Sequence, residues 1–415
     1  MSRCRPVFLL ICTLALLLAS ACAPPRTTTS PRPGRAEREA ELAARIAEVD
    51  PLNPRHYQRR AGRTYTAGVT ALVQRRGTIP YDNMTLPLVS PDGRYVATHR
   101  GLAPTWATLL AEPGAAVPAA TRIEIYRLPD NEDDAPQVQA IVDEPGLLGR
   151  ACTDEGFLIE SPQGNGSRWI GLASWETGTV QWLISDDRAI SAFATMGADG
   201  RLAWSSRPVD GEHFDLMIRR GAEEWRLPGQ GGDWLMPTWS GAGDGLFALL
   251  LRDETLDVAH MIASSATDVR RTIRPLPLAA AKATIDTAYQ TLNATVVTTT
   301  GRPPARDQLV FFHPVRLRAA VWEPPSVPVL LDRDSLAAVM DQDDPGYVLM
   351  TTGKDLIRRR LLDEEKLDRI TLIAGTHVPR PTASDDWPYI LLEPSEGVIG
   401  VTALRLLPVE EIAEQ

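Results

Sequence analysis

The chain has 415 residues, 44% of them hydrophobic, so it can form one large domain or two ordinary ones. Its formal net charge of -10 argues against nucleic acid as a partner, because phosphate binding requires a basic surface. The 34 prolines and 30 glycines favour a fold with many turns over one built from long helices.

Residues 1–21 have the pattern of a secretion signal. Arg3 and Arg5 precede the apolar run Val7–Ala19. This run is short for a helix that crosses a bilayer and has the usual length of a signal-peptide core. We therefore expect the segment to direct export and to be removed.

The sequence Ala19-Ser-Ala-Cys22 resembles a bacterial lipobox, in which small residues precede a cysteine that is diacylated. The resemblance implies cleavage between Ala21 and Cys22 and lipidation of Cys22. It also implies a location in the cell envelope, anchored to a membrane and facing the periplasm or the cell exterior. An ordinary signal peptide cut after Ala21, with Cys22 incidental, is the alternative.

The other cysteines support this interpretation. Cys4 and Cys12 would leave with the signal, so Cys152 would be the one free thiol and no intramolecular disulfide is expected. Cys152 is predicted to pack as a small apolar residue.

Residues 22–35 are predicted to form a disordered tether, because they are rich in proline and lack periodic apolar residues. A short helix is expected at Ala36–Val49, where Leu42, Ile46 and Val49 share one face. The segment 36–80 is otherwise interpreted as irregular, with Tyr65–Val73 as either a short helix or a first strand.

From residue 81 a turn motif recurs. Ser90-Pro-Asp-Gly93 precedes a short apolar strand, and weaker copies end at Gly156, Gly200 and Gly243. The last three glycines are 44 and 43 positions apart (200 − 156 and 243 − 200). A period in the low forties with four short strands per repeat is typical of a β-propeller blade.

Ser90-Pro-Asp-Gly93 and its copies resemble the TolB-type, WD40-like repeat. The resemblance implies a ring of blades that serves protein–protein contacts, with no fixed catalytic set. We expect an all-β fold, a six- or seven-bladed β-propeller at residues 81–408, with a tail at 409–415. A terminal strand is expected to complete the first blade. Leu356–Leu367 is open between a strand and a short helix.

Residues with catalytic or metal-binding potential are few. None of the six histidines has metal-ligand spacing, and no nucleophile elbow or phosphate-binding loop is present. The acidic clusters Asp130–Asp134 and Asp341–Asp344 are interpreted as solvated loops or turns. Asp385-Asp-Trp-Pro-Tyr389 combines carboxylates with aromatics, as sugar sites do, although neighbouring Asp385 and Asp386 would face apart on a strand.

The sequence therefore predicts no catalytic residue, metal or cofactor, and it leaves the ligand open. The favoured hypothesis is an envelope lipoprotein whose propeller binds or scaffolds envelope proteins, with the membrane reached through Cys22. The alternative is a periplasmic or surface hydrolase that acts on glycans or peptides.

Overall fold

The structure is a computed structural model that describes residues 69–82, 87–101, 122–197, 199–240, 245–253, 255–263, 268–275, 309–313, 318–322, 329–332, 337–341, 347–351, 355–360, 369–375 and 377–408. All of these belong to the compact unit Tyr57–Gln415. The other unit, Met1–His56, lies outside the described residues. The described part of the chain contains strands and turns and no helix.

The strands form groups of sequence neighbours with antiparallel pairing inside each group. One parallel pairing, Ile190 with Arg168, joins the second and third groups into a single eight-stranded sheet. β1 spans Val69–Pro80, and the first group comprises β2 (Leu88–Val89), β3 (Tyr95–Arg100), β4 (Arg122–Arg127) and β5 (Gln137–Ile141). The second group comprises β6 (Leu147–Cys152), β7 (Gly156–Pro162), β8 (Arg168–Ser174) and β9 (Val180–Ile184). The third comprises β10 (Ala189–Met196), β11 (Leu202–Pro208), β12 (Asp215–Arg220) and β13 (Glu223–Leu227).

The second half of the chain continues this order. The fourth group comprises β14 (Asp233–Trp239), β15 (Gly245–Arg252), β16 (Thr255–Ala263) and β17 (Val269–Pro275). The fifth comprises β18 (Leu309–His313), β19 (Arg318–Trp322) and β20 (Val329–Asp332). The sixth comprises β21 (Ala337–Met340), β22 (Tyr347–Thr351), β23 (Asp355–Arg360) and β24 (Arg369–Ala374). The closing group comprises β25 (Val378–Pro381), β26 (Tyr389–Ser395), β27 (Val398–Pro408) and the early strand β1.

Buried side chains bridge successive groups. Trp175, in the turn after β8, stacks on Tyr95 of β3 at 6.2 Å and contacts Phe157 of β7 at 4.6 Å between ring centroids. Successive four-stranded sheets that bury their faces against one another are the organisation of a β-propeller. The predicted all-β propeller class is therefore confirmed, while the number of blades stays a prediction.

The turn motif is visible as one repeated hydrogen bond. The amide of Ser90 donates to the carbonyl of Tyr95 at 2.9 Å across the hairpin between β2 and β3. The same bond closes the first hairpin of five other groups, with the following donors and acceptors: Thr153 and Gly156, Gly197 and Arg201, Ser240 and Gly245, Asp341 and Tyr347, Thr382 and Pro388. The last two copies were not recognised in the sequence.

The first strands β6, β10 and β14 are irregular, because their pairing with the second strand of the group shifts register. β10 and β14 each contain a bulge, and Phe193 and Met236 adopt φ values of +57° and +53° there. These two residues are 43 positions apart (236 − 193), which repeats the blade period. A bulge breaks the alternation of apolar and polar residues that marks a strand in a sequence.

Buried polar side chains attach these first strands to the preceding group. On β7, Glu160 accepts a hydrogen bond from the Phe193 amide at 2.7 Å. At the corresponding place on β3, His99 Nε2 accepts one from the Leu148 amide at 3.1 Å. On β22, Thr351 donates to the carbonyl of His377, next to β25. Each bond connects the second strand of one group to the inner edge of the next.

The ring is closed by its earliest strand. β1 pairs antiparallel with β27 along its full length, from Val69 opposite Pro408 to Pro80 opposite Val398. The described part of the propeller thus includes β1, which lies before residue 81, and the segment 36–80 is not irregular up to its end. The strand alternative at Tyr65–Val73 is correct for residues 69–73.

Other predictions have mixed outcomes. Asp355–Arg360 is a strand, so the helix alternative at Leu356–Leu367 is wrong for the residues described there. The signal segment 1–21, the tether 22–35, the helix Ala36–Val49 and the tail 409–415 lie outside the described residues. Within the described ranges, no helix has the length and apolar character needed to cross a membrane.

Candidate functional site

A pocket of about 510 Å³ lies where the closing group meets the first group. We call it the seam pocket. Three structures surround it: the middle of β1, the turn between β2 and β3 with the start of the β4–β5 loop, and the turn between β25 and β26. Its lining residues are Gln74, Arg76, Asp92, Gly93, Arg94, Leu128, Asp130, Ser384, Asp386, Trp387 and Ile390.

The Ser90–Gly93 turn supplies one wall. Asp92 accepts hydrogen bonds from the Ser90 hydroxyl at 2.6 Å and from the Arg94 amide at 3.0 Å, and its carboxylate pairs with Arg94 Nε at 2.5 Å. Burial opposes ionisation of Asp92, but these bonds and the Arg94 charge outweigh it and hold its pKa below the usual value. Asp92 is therefore ionised at neutral pH, and its carboxylate holds the turn together through its bonds to Ser90 and Arg94.

The acidic loop Asp130–Asp134 is attached to β1. Arg76 Nη1 donates to the carbonyl of Pro129 at 2.6 Å and lies 3.7 Å from Asp130. Glu132 accepts a hydrogen bond from the Arg75 amide at 3.2 Å. Burial lowers the pKa of Arg76, against the opposing effect of Asp130. The cluster interpreted as solvated thus also holds the closing strand.

The third wall is the turn between β25 and β26, which contains the cluster Asp385–Tyr389. The Trp387 amide donates to Ser384 Oγ at 3.2 Å, and the Thr382 hydroxyl donates to the Trp387 carbonyl at 2.5 Å. Arg76 lies over the Trp387 ring at 5.7 Å from its centroid. Asp386 is exposed. The cluster is therefore a copy of the repeated turn, and its tryptophan and second aspartate face a pocket.

The two turns touch each other. The Ala383 amide donates to the Pro91 carbonyl at 2.6 Å. A Cβ at Gly93, whose φ is +72°, would lie 3.3 Å from Thr382 Cγ2. Glycine here permits both the left-handed backbone and the close approach of the neighbouring turn. The pocket walls are therefore fixed by backbone contacts and do not depend on a ligand for their position.

Comparisons with known proteins report structural similarity at low identity. No protein-family model and no curated protein sequence matches the chain. Prolyl oligopeptidase B from Galerina marginata is 12% identical over 74% of this chain, with a TM-score of 0.41. The chain covers 46% of that enzyme, which is less than half of its length.

Two other similar structures are matched over nearly their full length. The β-propeller domain of Cps50 (Swd1) from Myceliophteria thermophila is 12% identical, with a TM-score of 0.45 and coverage of 78% of this chain and 98% of that one. Virginiamycin B lyase from Staphylococcus aureus is 14% identical, with a TM-score of 0.42 and coverage of 81% and 100%.

The remaining residues singled out in the sequence have structural surroundings. Asp341 is buried and pairs with Arg358 Nε at 2.5 Å, while the Tyr389 hydroxyl donates to it at 3.2 Å. Cys152 is partly buried, and its thiol donates to the Val89 carbonyl at 3.3 Å. Ala21 and Cys22 lie outside the described residues. No group of three or more His, Cys, Asp or Glu side chains arranged for a metal ion occurs in the described ranges.

Three residues with charged side chains in notable surroundings were not predicted from the sequence. Arg380 is the one charge of β25, Arg76 follows Arg75 within β1, and Glu160 lies in an apolar strand. No motif marks these positions. The signal that could have identified them is a charged side chain at an inward-facing position of a strand. Which positions face inward is known only once the register of the strand is known.

Proposed function

We propose that the chain is a lipid-anchored β-propeller of the bacterial cell envelope whose seam pocket binds a partner protein. The lipobox-like Ala19–Cys22 and the proline-rich tether support the anchor. The TolB-type resemblance of the repeated turn supports a role in protein contacts. The membrane is reached through the lipid on Cys22 and not through the propeller.

The proposal that the pocket binds a protein rests on one observation. Arg76 and Trp387 lie against each other in a pocket whose walls are already formed. Tryptophan and arginine are the side chains that contribute most often to binding energy at protein interfaces. Here a hydrogen bond to the Pro129 carbonyl holds the Arg76 side chain, and the backbone amide of Trp387 is bonded within the 384–387 turn, with the Trp387 ring against Arg76. A partner would therefore not have to order them, which reduces the cost of association.

The charges of the pocket indicate the chemistry of the partner. Asp92 and Asp130 are paired with Arg94 and Arg76, whereas Asp386 is exposed beside Trp387. A carboxylate next to an aromatic face favours a lysine or arginine side chain. The chain's net charge of -10 would steer a basic segment toward it. The proposed partner therefore presents a basic segment.

The test is recovery of proteins from detergent-solubilised envelope with full-length chain as bait. The control is Asp187→Asn, which changes an exposed carboxylate in the loop between β9 and β10. The wild type and this control are expected to recover the same partner. Trp387→Ala and Asp386→Asn are expected to lose at least about tenfold of the recovered amount. Equal recovery by all four baits would contradict a role of the seam pocket.

The anchor has its own test. Cells are labelled with radioactive palmitate, and the wild type is compared with Cys22→Ala. Label is expected in the wild type alone. Equal incorporation by both proteins would refute lipidation of Cys22.

A glycan or peptide hydrolase is the second candidate, because the seam pocket brings Trp387 together with the carboxylates of Asp92, Asp130 and Asp386. The lowered pKa of Asp92 makes it unsuited to donate a proton at neutral pH. Hydrolysis of a glycan or peptide panel by the wild type but not by Asp386→Asn, without recovery of a partner, would favour this candidate.

A further inference from the structure

Arg380 lies on β25, opposite Ile390 of β26. Arg380 as a whole is partly exposed, but its Nε atom is buried and has no hydrogen-bond acceptor. No ion pair or hydrogen bond to its guanidinium occurs in the described part of the chain. Burial lowers the pKa of Arg380 to about 10, so the group still carries its charge at neutral pH. Among the described residues, this partly desolvated cation therefore has no counter-ion.

The groups that act electrostatically on Arg380 are neutral. They are the Cys152 thiol and the Tyr81 hydroxyl. Burial raises the pKa of Cys152 to about 12 and also raises that of Tyr81. The carboxylates of Asp154 and Asp92 also act on Cys152, but Asp154 is exposed to solvent and Asp92 is paired with Arg94. An unpaired charge in such surroundings destabilises a folded protein in general, and an anionic ligand would offset that cost.

The position of these groups points to the centre of the propeller. Val89 and Cys152 end the first strands of the first and second groups, and Arg380 lies one residue before the end of the first strand of the closing group. Each position comes just before a turn, which starts at Ser90, Thr153 or Thr382. First strands surround the central channel of a propeller. The Cys152 thiol donates to the Val89 carbonyl, and the Ala383 amide donates to the Pro91 carbonyl, so the inner strands of these three groups lie side by side.

We propose that Arg380 is the anchor of an oxyanion-binding site in the channel, which takes a carboxylate or phosphate group. The planar guanidinium matches both anions by paired hydrogen bonds. Neither Cys152 nor Tyr81 carries a charge that would repel the anion. Arg380 is not among the residues of the seam pocket, so this site is separate from the proposed partner site.

The first test is thermal unfolding of the full-length chain in detergent, with phosphate or acetate replacing chloride at constant ionic strength. The wild type is expected to show a saturable rise in Tm, and so is the control Arg188→Met, which removes an exposed arginine. Arg380→Met keeps the side-chain length and is expected to show no rise. A response to phosphate but not acetate assigns the site to phosphate groups, and the reverse assigns it to carboxylates.

Two results would overturn the proposal: a wild type that responds to neither anion, or an Arg380→Met variant that responds as the wild type does. Trp387→Ala is expected to keep the full response. It therefore separates failure of this site from failure of the seam pocket.

The second test uses Cys152 as a reporter and remains informative if Arg380→Met folds poorly. The Arg380 charge favours the Cys152 thiolate, so a bound anion is expected to slow alkylation of Cys152, followed by peptide mass spectrometry, by at least about threefold. Arg380→Lys keeps the charge without the planar fork and is expected to need about tenfold more anion for the same slowing. Alkylation that is unchanged by either anion in the wild type would contradict the site.

Discussion

At the scale of single residues, the propeller is held together by buried polar groups at equivalent places. Glu160 is the most consequential of them. It accepts the amide of Phe193, a residue with left-handed backbone, and lies 3.9 Å from Arg168 Nη1, with both side chains buried. Burial raises the pKa of Glu160 to about 7, against the opposing effects of Arg168 and the backbone donors. The stability of the fold is therefore linked to pH through this one carboxyl.

The sign of that linkage can be stated. A carboxyl with a raised folded-state pKa contributes fully to stability below its unfolded value near 4.5, and the contribution is lost as the pH rises through about 7. Between about pH 5 and about pH 8 we expect Glu160 to reduce the free energy of unfolding by about 3 kcal/mol. Glu160→Gln keeps the acceptor for Phe193 and is expected to remove this slope. Chemical denaturation across the pH range measures it.

The matched control is Glu224→Gln, on the exposed part of β13. It is expected to keep the wild-type slope. His99, whose pKa burial lowers to about 4, affects all three proteins equally and cancels in the comparison. Parallel pH profiles for the wild type and Glu160→Gln would show that Glu160 does not titrate in this range.

At the scale of elements, the recurring turn has two structural roles. In every copy it connects the first and second strands, and at Ser90–Gly93 it also packs against the next copy of the turn, in the closing group. The contrast between Gly93 and Gly200 separates these roles. Their φ values are +72° and +78°, but a Cβ at Gly93 would meet Thr382 and Ile390, whereas a Cβ at Gly200 would meet nothing within 4 Å.

Alanine substitution is therefore expected to cost more at Gly93. Gly200→Ala should lower the free energy of unfolding by about 1 kcal/mol, from backbone strain alone. Gly93→Ala should lower it by a further 0.5–1 kcal/mol, roughly, because the neighbouring turn must move. Urea denaturation of the two variants gives the difference. Equal costs would mean that the contact between the turns does not contribute to stability.

The sequence predicted those elements whose residues follow a regular pattern. The strands predicted after the turn copies at Gly93, Gly156 and Gly200 are correct, because each turn precedes a short apolar run. The bulged strand at Ala189–Met196 could not be predicted, because its pattern shifts where the backbone turns left-handed at Phe193. The seam pocket could not be predicted either. Arg76 and Trp387 come together only through the pairing of β1 with β27, across most of the chain.

At the scale of the whole molecule, closure depends on β1. Deletion of residues 57–80 removes it and leaves the edge of β27 unpaired and the acidic loop without its attachment to Arg76. We expect Tm to fall by about 10 °C or more and the unfolding transition to broaden. Deletion of residues 23–56, which retains β1, is the matched control and should leave Tm nearly unchanged.

A peptide of residues 69–80 added in trans is expected to restore part of the lost Tm, because it supplies the missing ladder, whereas a scrambled peptide is not. Differential scanning calorimetry measures both effects. A chain without residues 57–80 that unfolds as the wild type does would refute closure by β1.

The antiparallel pairing of β1 with β27 also determines how the domain responds to mechanical force. Val69 lies opposite Pro408, so the chain enters β1 and leaves β27 at the same end of the ladder. A pull between the chain before Val69 and the chain after Pro408 therefore loads that end first and opens the hydrogen bonds one after another. A domain stretched between these two points would start to open at the very strand pair that closes it.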